Sequence, residues 1–356
     1  MMRQVMTTIQ QTPKSGKLTK GRRMKRRRDL LETSEPFDGI LNVYKPSGWT
    51  SHDVVAALRT RLGQEKVGHA GTLDPAATGV LPVLLGKATK ISSYLMDWEK
   101  EYRAVLRLGQ STDTQDATGV VISEACPEGI SEESIYATVN QFYGRIEQIP
   151  PMYSAIKVAG RPLYKAARAG QIVERAPRFV TIHHIEVQSI HGPDVALCVR
   201  TSKGTYIRTL CADIGQRLGV GGHMRELIRS RVGPLCLEQA LPLAQWSRSC
   251  LQNENPLTRL TLDQALAFLP AVIVDPAMVS LVLHGTPVPH SAIVYEKPLE
   301  SSSLENEHMV RVKDRNGCLL ALGKSSVDTG GPQGGEARLA IVRLLVDQSR
   351  DGMLAR

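Results

Sequence analysis

Residues Lys66–Leu85 read KVGHAGTLDPAATGVLPVLL, a Gly- and Pro-rich loop that carries one carboxylate, Asp74, and runs into an apolar stretch. Asp74 and Pro75 form a turn-prone pair, and Gly68, Gly71 and Gly79 free the backbone around it to approach a ligand closely. Val80 to Leu85 predicts a buried strand that anchors the loop. Asp-Pro between glycines is also what an ordinary turn looks like, so the flanking sequence has to decide between the two.

On the N-terminal side, Gly39 to Val43 predicts a strand, turned by Lys45, Pro46 and Gly48. Ser51 is placed to cap a helix with Val54, Val55, Leu58 and Leu62 on one face and Gly63 at its end. On the C-terminal side, Ala88 to Met96 predicts a short helix. In Glu101 to Leu108, Tyr102, Ala104, Leu106 and Leu108 alternate with Arg103, Val105 and Arg107, the pattern of a half-buried strand. TDTQDATG (112 to 119) reads as a turn into a strand from Val120 to Ser123, and Ser131 opens a helix stopped by Gly144. Two strands are expected over 178 to 201. A helix from near Thr205 to Gly219 follows, with Ile207, Leu210, Cys211, Ile214 and Leu218 in register and Arg208 in its first turn, off the apolar stripe. A segment with Arg225, Arg229 and Arg231 closes this part at Gly233-Pro234. From Leu243 to Pro256 the pattern is polar and linker-like. The runs AVIV, MVRV, CLLALG and LAIVRLL, separated in part by SSSLENE and GGPQGGE, predict a small β-rich module near 270 to 346.

The 356 residues have an ordinary globular composition, 42% hydrophobic and 22% charged, with a net charge of +9. Residues 1–28 hold ten of the Lys and Arg side chains and no acid, leaving 34 basic against 35 acidic side chains in the rest. The excess therefore belongs to an N-terminal arm, read as disordered, and a nucleic-acid site in the body has to gather its cations locally. An organellar transit peptide is the alternative reading of that arm. No apolar run reaches bilayer length. The six cysteines show no CxxC pairing, and without a secretory signal they read as reduced thiols of a cytosolic, cytoplasmic protein.

Nucleotide and metal motifs do not fit. Gly86-Lys87 stands at the wrong distance from Gly79 for a P-loop, and neither GxGxxG after a strand, HExxH nor GxSxG occurs. No cofactor and no metal are expected. A single carboxylate can still act as a covalent nucleophile at an anomeric carbon. Such a site needs an Arg to pair with the acid and an aromatic ring to hold a base; Arg208 and Tyr102 are candidates by type and placement. Residues 148 to 170, QIPPMYSAIKVAGRPLYKAARAG, interleave Tyr153, Lys157, Arg161, Tyr164, Lys165 and Arg168. That composition suits a surface for phosphates and bases, and equally a solvated strand-turn-helix.

HAGTLDPAATGVL resembles the central motif of the TruB family of tRNA pseudouridine synthases. NVYKPSGWTSHDVV (42 to 55), EYRAVLRLGQSTDTQDATG (101 to 119), QIPPMYSAIK, SKGTYIRTL (202 to 210) and RSRVGPL (229 to 235) extend the likeness in order from Gly39 to Leu235. The resemblance implies an α+β fold, with a mixed-sheet pseudouridine synthase catalytic domain and a small C-terminal β-rich PUA-like domain. The expected division is a basic arm over 1–38, the catalytic domain over 39–242, a helical connection over 243–269, the PUA-like RNA-binding domain over 270–346 and a tail over 347–356. By the same resemblance, Asp74 is the nucleophile, Tyr102 stacks on the target base and takes part in proton removal, and Arg208 pairs with Asp74. His69 contacts the stem-loop and takes up the space of the flipped nucleotide, Tyr206 and Leu227 line the base pocket, and Lys45-Pro46 braces the loop. The implied reaction turns uridine 55 of the tRNA T stem-loop into pseudouridine; attack at C1′, attack at C6 and a glycal route all stay open. The implied enzyme is a monomer that needs no guide RNA. Departures are the long arm, Ala77 where a larger apolar residue is usual, and the Gly- and Ser-rich insertions.

Two alternatives stay open: an RNA-guided relative that modifies ribosomal RNA, and a tRNA-folding or binding protein. The arm generates its own test, since each cation that meets a phosphate steepens the salt dependence of binding. Deleting residues 1–28 is expected to weaken tRNA binding and flatten the plot of log Kd against log salt while leaving the product unchanged; an unchanged slope means the arm does not touch RNA.

Overall fold

The computed structural model describes residues 36–154, 156–158, 160–171, 173–252, 258–296, 308–326 and 338–346. The basic arm, the SSSLENE and GGPQGGE insertions, the last ten residues and the side chains of Lys157 and Tyr164 lie outside the described residues. The chain divides between Pro36 and Phe37, and every described strand and helix belongs to the unit beginning at Phe37.

Strands in the first half are β1 (Gly39–Lys45), β2 (Val67–His69), β3 (Thr78–Leu85), β4 (Lys100–Leu108), β5 (Gln110–Thr112), β6 (Val121–Glu124) and β7 (Gly144–Gln148). They are followed by β8 (Lys157–Val158), β9 (Arg161–Pro162), β10 (Arg178–His191), β11 (Asp194–Thr201), β12 (Gly222–Val232), β13 (Leu235–Cys236), β14 (Leu241–Pro242) and β15 (Arg259–Leu260). One mixed sheet takes the order β14-β1-β3-β12-β4-β11-β10-β7, with β13, β15 and β2 paired alongside. Its strands are mostly antiparallel, but β3 meets β12 in parallel, with Gly79 beside Arg229. That pairing places the exit of the Asp74 loop in the middle of the sheet, against the residues that follow Leu227.

Three longer helices pack on this sheet: α1 (Ser51–Leu62), α2 (Glu132–Asn140) and α3 (Ile207–Arg217). The cap of α1 is Thr50, not Ser51: its side chain accepts from Asp53 N while Asp53 bonds back to Thr50 N, a closed capping box. Ser51 is buried and turns its hydroxyl to Leu73, accepting from its N–H at 3.0 Å. The expected helix over Ala88 to Met96 is split into a 3-10 turn, Gly86–Ile91, and one α turn, Ser92–Leu95. In β4 the predicted alternation holds: Tyr102, Ala104, Leu106 and Leu108 are buried in one cluster with Ile207, Leu210, Cys211 and Ile214 of α3. The polar stretch after Leu243 also reaches the core, because Trp246 is 1% exposed among Leu41, Val43, Leu58 and Val83.

The C-terminal β runs form a second sheet, six-stranded and consistent with a PUA-like domain. Its strands are β16 (Ala271–Val274), β17 (Val288–Pro289), β18 (Ile293–Tyr295), β19 (Met309–Lys313), β20 (Leu319–Ser326) and β21 (Arg338–Leu344), in the order β17-β21-β20-β19-β16-β18. Leu322 and Leu345 share a buried cluster with Ile91, Leu95, Trp98 and Leu266, so the second sheet is packed onto the first through apolar side chains. Asp263, in the helical turn Leu262–Ala265 that follows β15, ties this connection to the second sheet by accepting from Arg311 at 2.7 Å and pairing with Lys313 at 3.0 Å.

Removing the Trp246 ring leaves a cavity in a layer that α1 and β1 share. Trp246→Ala is therefore expected to lower unfolding free energy by about 3–5 kcal/mol, read as a shift of the urea midpoint. A midpoint within experimental error of the parent means this stretch does not contribute to the core.

Candidate active site

The Asp74 loop is held from three sides by groups that bond to its backbone, which leaves its carboxylate free for other partners. From β1, Lys45 is fully buried and donates from Nζ to the carbonyls of Pro46, Trp49 and Pro75 at 2.9, 2.7 and 3.1 Å. From α1, Ser51 fixes Leu73, and from the turn before it Gly48 N donates to Pro75 O at 2.9 Å. From β12, Arg229 donates to Gly71 O, Thr72 O and Val80 O. The loop closes on itself where Ala77 N donates to Asp74 O at 3.1 Å. Gly79 is required at its exit: it has φ +109°, and a Cβ there would stand 2.3 Å from Arg229 O.

Arg208 comes from the first turn of α3 and meets Asp74 side on. Nε donates to Oδ2 at 2.8 Å and Nη2 to Oδ1 at 3.3 Å, a two-pronged pair that orients both oxygens. The guanidinium is itself over-determined, since it donates to Thr114 O and Tyr153 O at 3.2 and 2.9 Å and lies 3.8 Å from Asp116 Oδ2. Asp116 is in turn fixed through its Oδ1, which accepts from the hydroxyls of Thr114 and Thr118 and from the backbone N–H of Thr118. Burial differs across the pair: the Arg208 side chain is 4% exposed and that of Asp74 33%. The cation is enclosed and the carboxylate is reachable, which is what an attacking oxygen needs.

Tyr102 on β4 stands opposite Arg229 in the β4–β12 register, and Leu227 opposite Ala104. Tyr102 and Leu227 share a buried cluster with Leu73, Ala77 and Ile207, so ring and aliphatic side chain flank the loop that carries Asp74. Burial pushes the Tyr102 phenol up, against the pull of the Arg229 guanidinium. Tyr206 caps α3; its backbone N–H donates to Gln148 Oε1 at 3.1 Å and its carbonyl accepts from Gln148 Nε2. That reciprocal pair and the Tyr153–Arg208 bond tie the start of the 148–170 stretch to the site. His69, at the end of β2, is not drawn into the Asp74–Arg208 pair; it meets His52 of α1 edge to face at 5.8 Å, and burial lowers its pKa. Its Nδ1 is enclosed with no hydrogen-bond partner among the described residues.

Asp74, Arg208, Tyr102, Leu227 and Tyr206 thus converge, with Lys45 beneath. Four further participants do not stand out from sequence as site residues. Asp116, Gln148 and Arg229 sit inside the quoted motifs TDTQDATG, QIPPMYSAIK and RSRVGPL, but spacing alone does not tell which polar residue of a motif turns inward. Ser51 has the sequence position of a cap. Among the described residues no group of three or more His, Cys, Asp or Glu gathers as a metal site.

A family model described as TruB family pseudouridylate synthase, N-terminal domain, matches residues 59–207, and one for the tRNA pseudouridylate synthase B C-terminal domain matches 208–267. A curated "tRNA pseudouridine synthase B" of Geotalea uraniireducens is 42% identical over 291 residues, 82% of this chain and 93% of that protein. One of Alkaliphilus oremlandii is 46% identical over 249 residues, 70% of this chain and 82% of that protein. Among solved structures, a Cbf5–Nop10–Gar1 complex matches with TM-score 0.66 and 30% identity, covering 87% of this chain and 86% of that one. The fold is that of a pseudouridine synthase. The chain belongs to the TruB family of pseudouridylate synthases.

Two buried ammonium groups generate a pH prediction. Burial pushes Lys45 down to about 8, although Asp74 opposes it, and Lys100 likewise down to about 8. In the unfolded chain both titrate near 10.5, so between pH 8 and 9 the unfolded state binds more protons and stability rises with pH. Above that window the buried Cys211 thiol, pushed up to about 12, and the Tyr102 phenol oppose the rise, because they keep their protons in the folded chain. The urea midpoint is expected to climb from pH 8 to 9 and to climb less in Lys45→Met; identical slopes for parent and variant contradict the burial of Lys45 as a desolvated cation.

Proposed function

We propose that the chain isomerises uridine 55 in the T loop of tRNA to pseudouridine, with Asp74 as nucleophile. The observation that carries this reading is the Asp74–Arg208 pair, an enclosed guanidinium gripping both oxygens of a reachable carboxylate on a loop whose backbone is held by the side chains of Lys45, Ser51 and Arg229. The relatives named tRNA pseudouridine synthase B, matched over most of their length, support tRNA as the substrate. The isomerisation breaks the N1–C1′ bond, turns the base and joins C5 to C1′; the C5 proton leaves and N1 regains one, so the reaction is balanced without a redox partner or a nucleotide. The target base has to leave its stack, and a loop lets a protein splay it at modest cost.

In this reading Tyr102 stacks on the flipped base and serves the proton transfer, and Leu227 and Tyr206 line the pocket. His69, lying outside the ion pair with its Nδ1 unpartnered among the described residues, meets the stem-loop and takes the place the base leaves. Lys45 works through Pro75, holding the loop from below. The C-terminal sheet serves as an additional RNA-binding surface, and the enzyme acts as a cytoplasmic monomer on bare tRNA.

The test is tritium release from tRNA labelled at uridine C5, without guide RNA or added cofactor. The parent chain is expected to release tritium and Asp74→Asn to be slower by at least about a thousandfold, with Kd for tRNA changed little, because one acceptor oxygen does not hold a stem-loop. Release by Asp74→Asn at the parent rate removes Asp74 as nucleophile. An inert parent that still binds tRNA moves the weight to an enzyme that works within a larger complex; the Cbf5 neighbour was solved with Nop10 and Gar1.

A further inference from the structure

Arg229 is 1% exposed, the most enclosed guanidinium near the site, and it makes no ion pair with a carboxylate among the described residues. Burying a cation without a direct counter-ion is costly, and packing the β3–β12 seam would be served as well by an aliphatic side chain. The loop does not need Arg229 merely to stay closed, because Lys45 and Ser51 already hold Pro75 and Leu73.

What a guanidinium adds is a planar fork with five donors and no acceptor. Three donations go to backbone: Nε to Val80 O at 2.8 Å, Nη1 to Thr72 O and Nη2 to Gly71 O, each at 3.2 Å. Tyr102 on β4 is the register partner of Arg229 in the β4–β12 ladder, so the guanidinium stands beside the phenol, and its charge draws the phenol down against the upward push of burial. A guanidinium can only donate, so a bond from it to the phenolic oxygen is one that the oxygen accepts, with the phenol's own hydrogen turned elsewhere.

We propose that Arg229 is a positioning residue for the isomerisation: one rigid fork clamps the backbone just before Asp74 and orients the Tyr102 hydroxyl, holding nucleophile and aromatic ring in a fixed relation. The inference rests on the roles given above to Asp74 and Tyr102. It explains why an arginine occupies this place, since a lysine has the charge but not the fork that reaches Gly71, Thr72, Val80 and Tyr102 together. Gly79 belongs to the same device. Its missing Cβ lets β3 approach the Arg229 backbone, so the side chain springs from directly beneath the loop it clamps.

The test uses Arg229→Lys in the full chain, with 3-fluorotyrosine at position 102 as a reporter. Single-turnover conversion of tRNA is expected to fall about a hundredfold, the scale of a small misplacement of reacting groups, while Kd for tRNA and the urea midpoint move little. The fluorophenol, followed by fluorine resonance, is expected to ionise at higher pH in the variant, since a directed donor to its oxygen is lost. An unmoved titration, or a rate loss that follows the loss of folded protein, overturns the proposal. Should Arg229→Lys not fold, Tyr102→Phe is examined instead: the side-chain nitrogen resonances of Arg229 must shift, and unshifted resonances overturn it equally. Neither resonance depends on turnover, so failure here is distinguishable from failure of the Asp74 assignment, which tritium release from Asp74→Asn decides.

Discussion

The two-pronged contact between Asp74 and Arg208 is the constraint on which the site depends, and much of the surrounding structure keeps it in place. A carboxylate on a loop would ordinarily sample many orientations. Here the loop backbone is bonded by Lys45, Ser51 and Arg229, so the freedom left to the side chain is its own rotation, and Arg208 removes that. Arg208 in turn is fixed by two carbonyls, Thr114 and Tyr153, from segments far apart in sequence. The pair therefore joins the Asp74 loop, the turn after β5, the start of the 148–170 stretch and α3.

Charge in this site is arranged by enclosure. Lys45, Arg208 and Arg229 are all nearly or fully buried, whereas Asp74 keeps a third of its side chain exposed. Enclosed cations are poorly screened and cannot relax toward solvent, so they act as fixed donors aimed at chosen oxygens. Desolvation of Lys45 shows in its lowered pKa, partly offset by Asp74. Positive charge that could have lined an exposed RNA-binding surface instead holds one loop.

The fold makes this possible through a single topological feature, the parallel contact of β3 with β12 within an otherwise largely antiparallel sheet. Both strands enter this seam from segments of the site: β3 leaves the Asp74 loop, and β12 carries Leu227 and Arg229. Their neighbour β4 contributes Tyr102. The apolar faces of β4 and α3 supply the packing that keeps these strands in register, with Tyr102 itself part of that core.

Local chemistry in the sequence determined a good deal. Alternation in Glu101 to Leu108 implied a one-faced strand, Gly63 implied the end of a helix, and the DP turn among glycines marked the loop, because each depends on neighbours a few residues away. The ordered set of motifs also pointed to the family. What tertiary structure alone decided is the direction of polar side chains at non-local contacts. Ser51, legible as a cap, is taken instead by Leu73; Arg208, off the apolar stripe of its helix, is buried because Asp74 and two carbonyls from elsewhere surround it. Trp246, in a polar stretch, fills a cavity between β1 and α1 that only the assembled sheet creates. Arg229 could not be told from Arg225 or Arg231 by sequence, since strict alternation puts all three on one face of a strand. Register shifts in the β4–β12 ladder between Met224 and Glu226 and between Arg229 and Arg231 break that alternation and leave Arg229 opposite Tyr102.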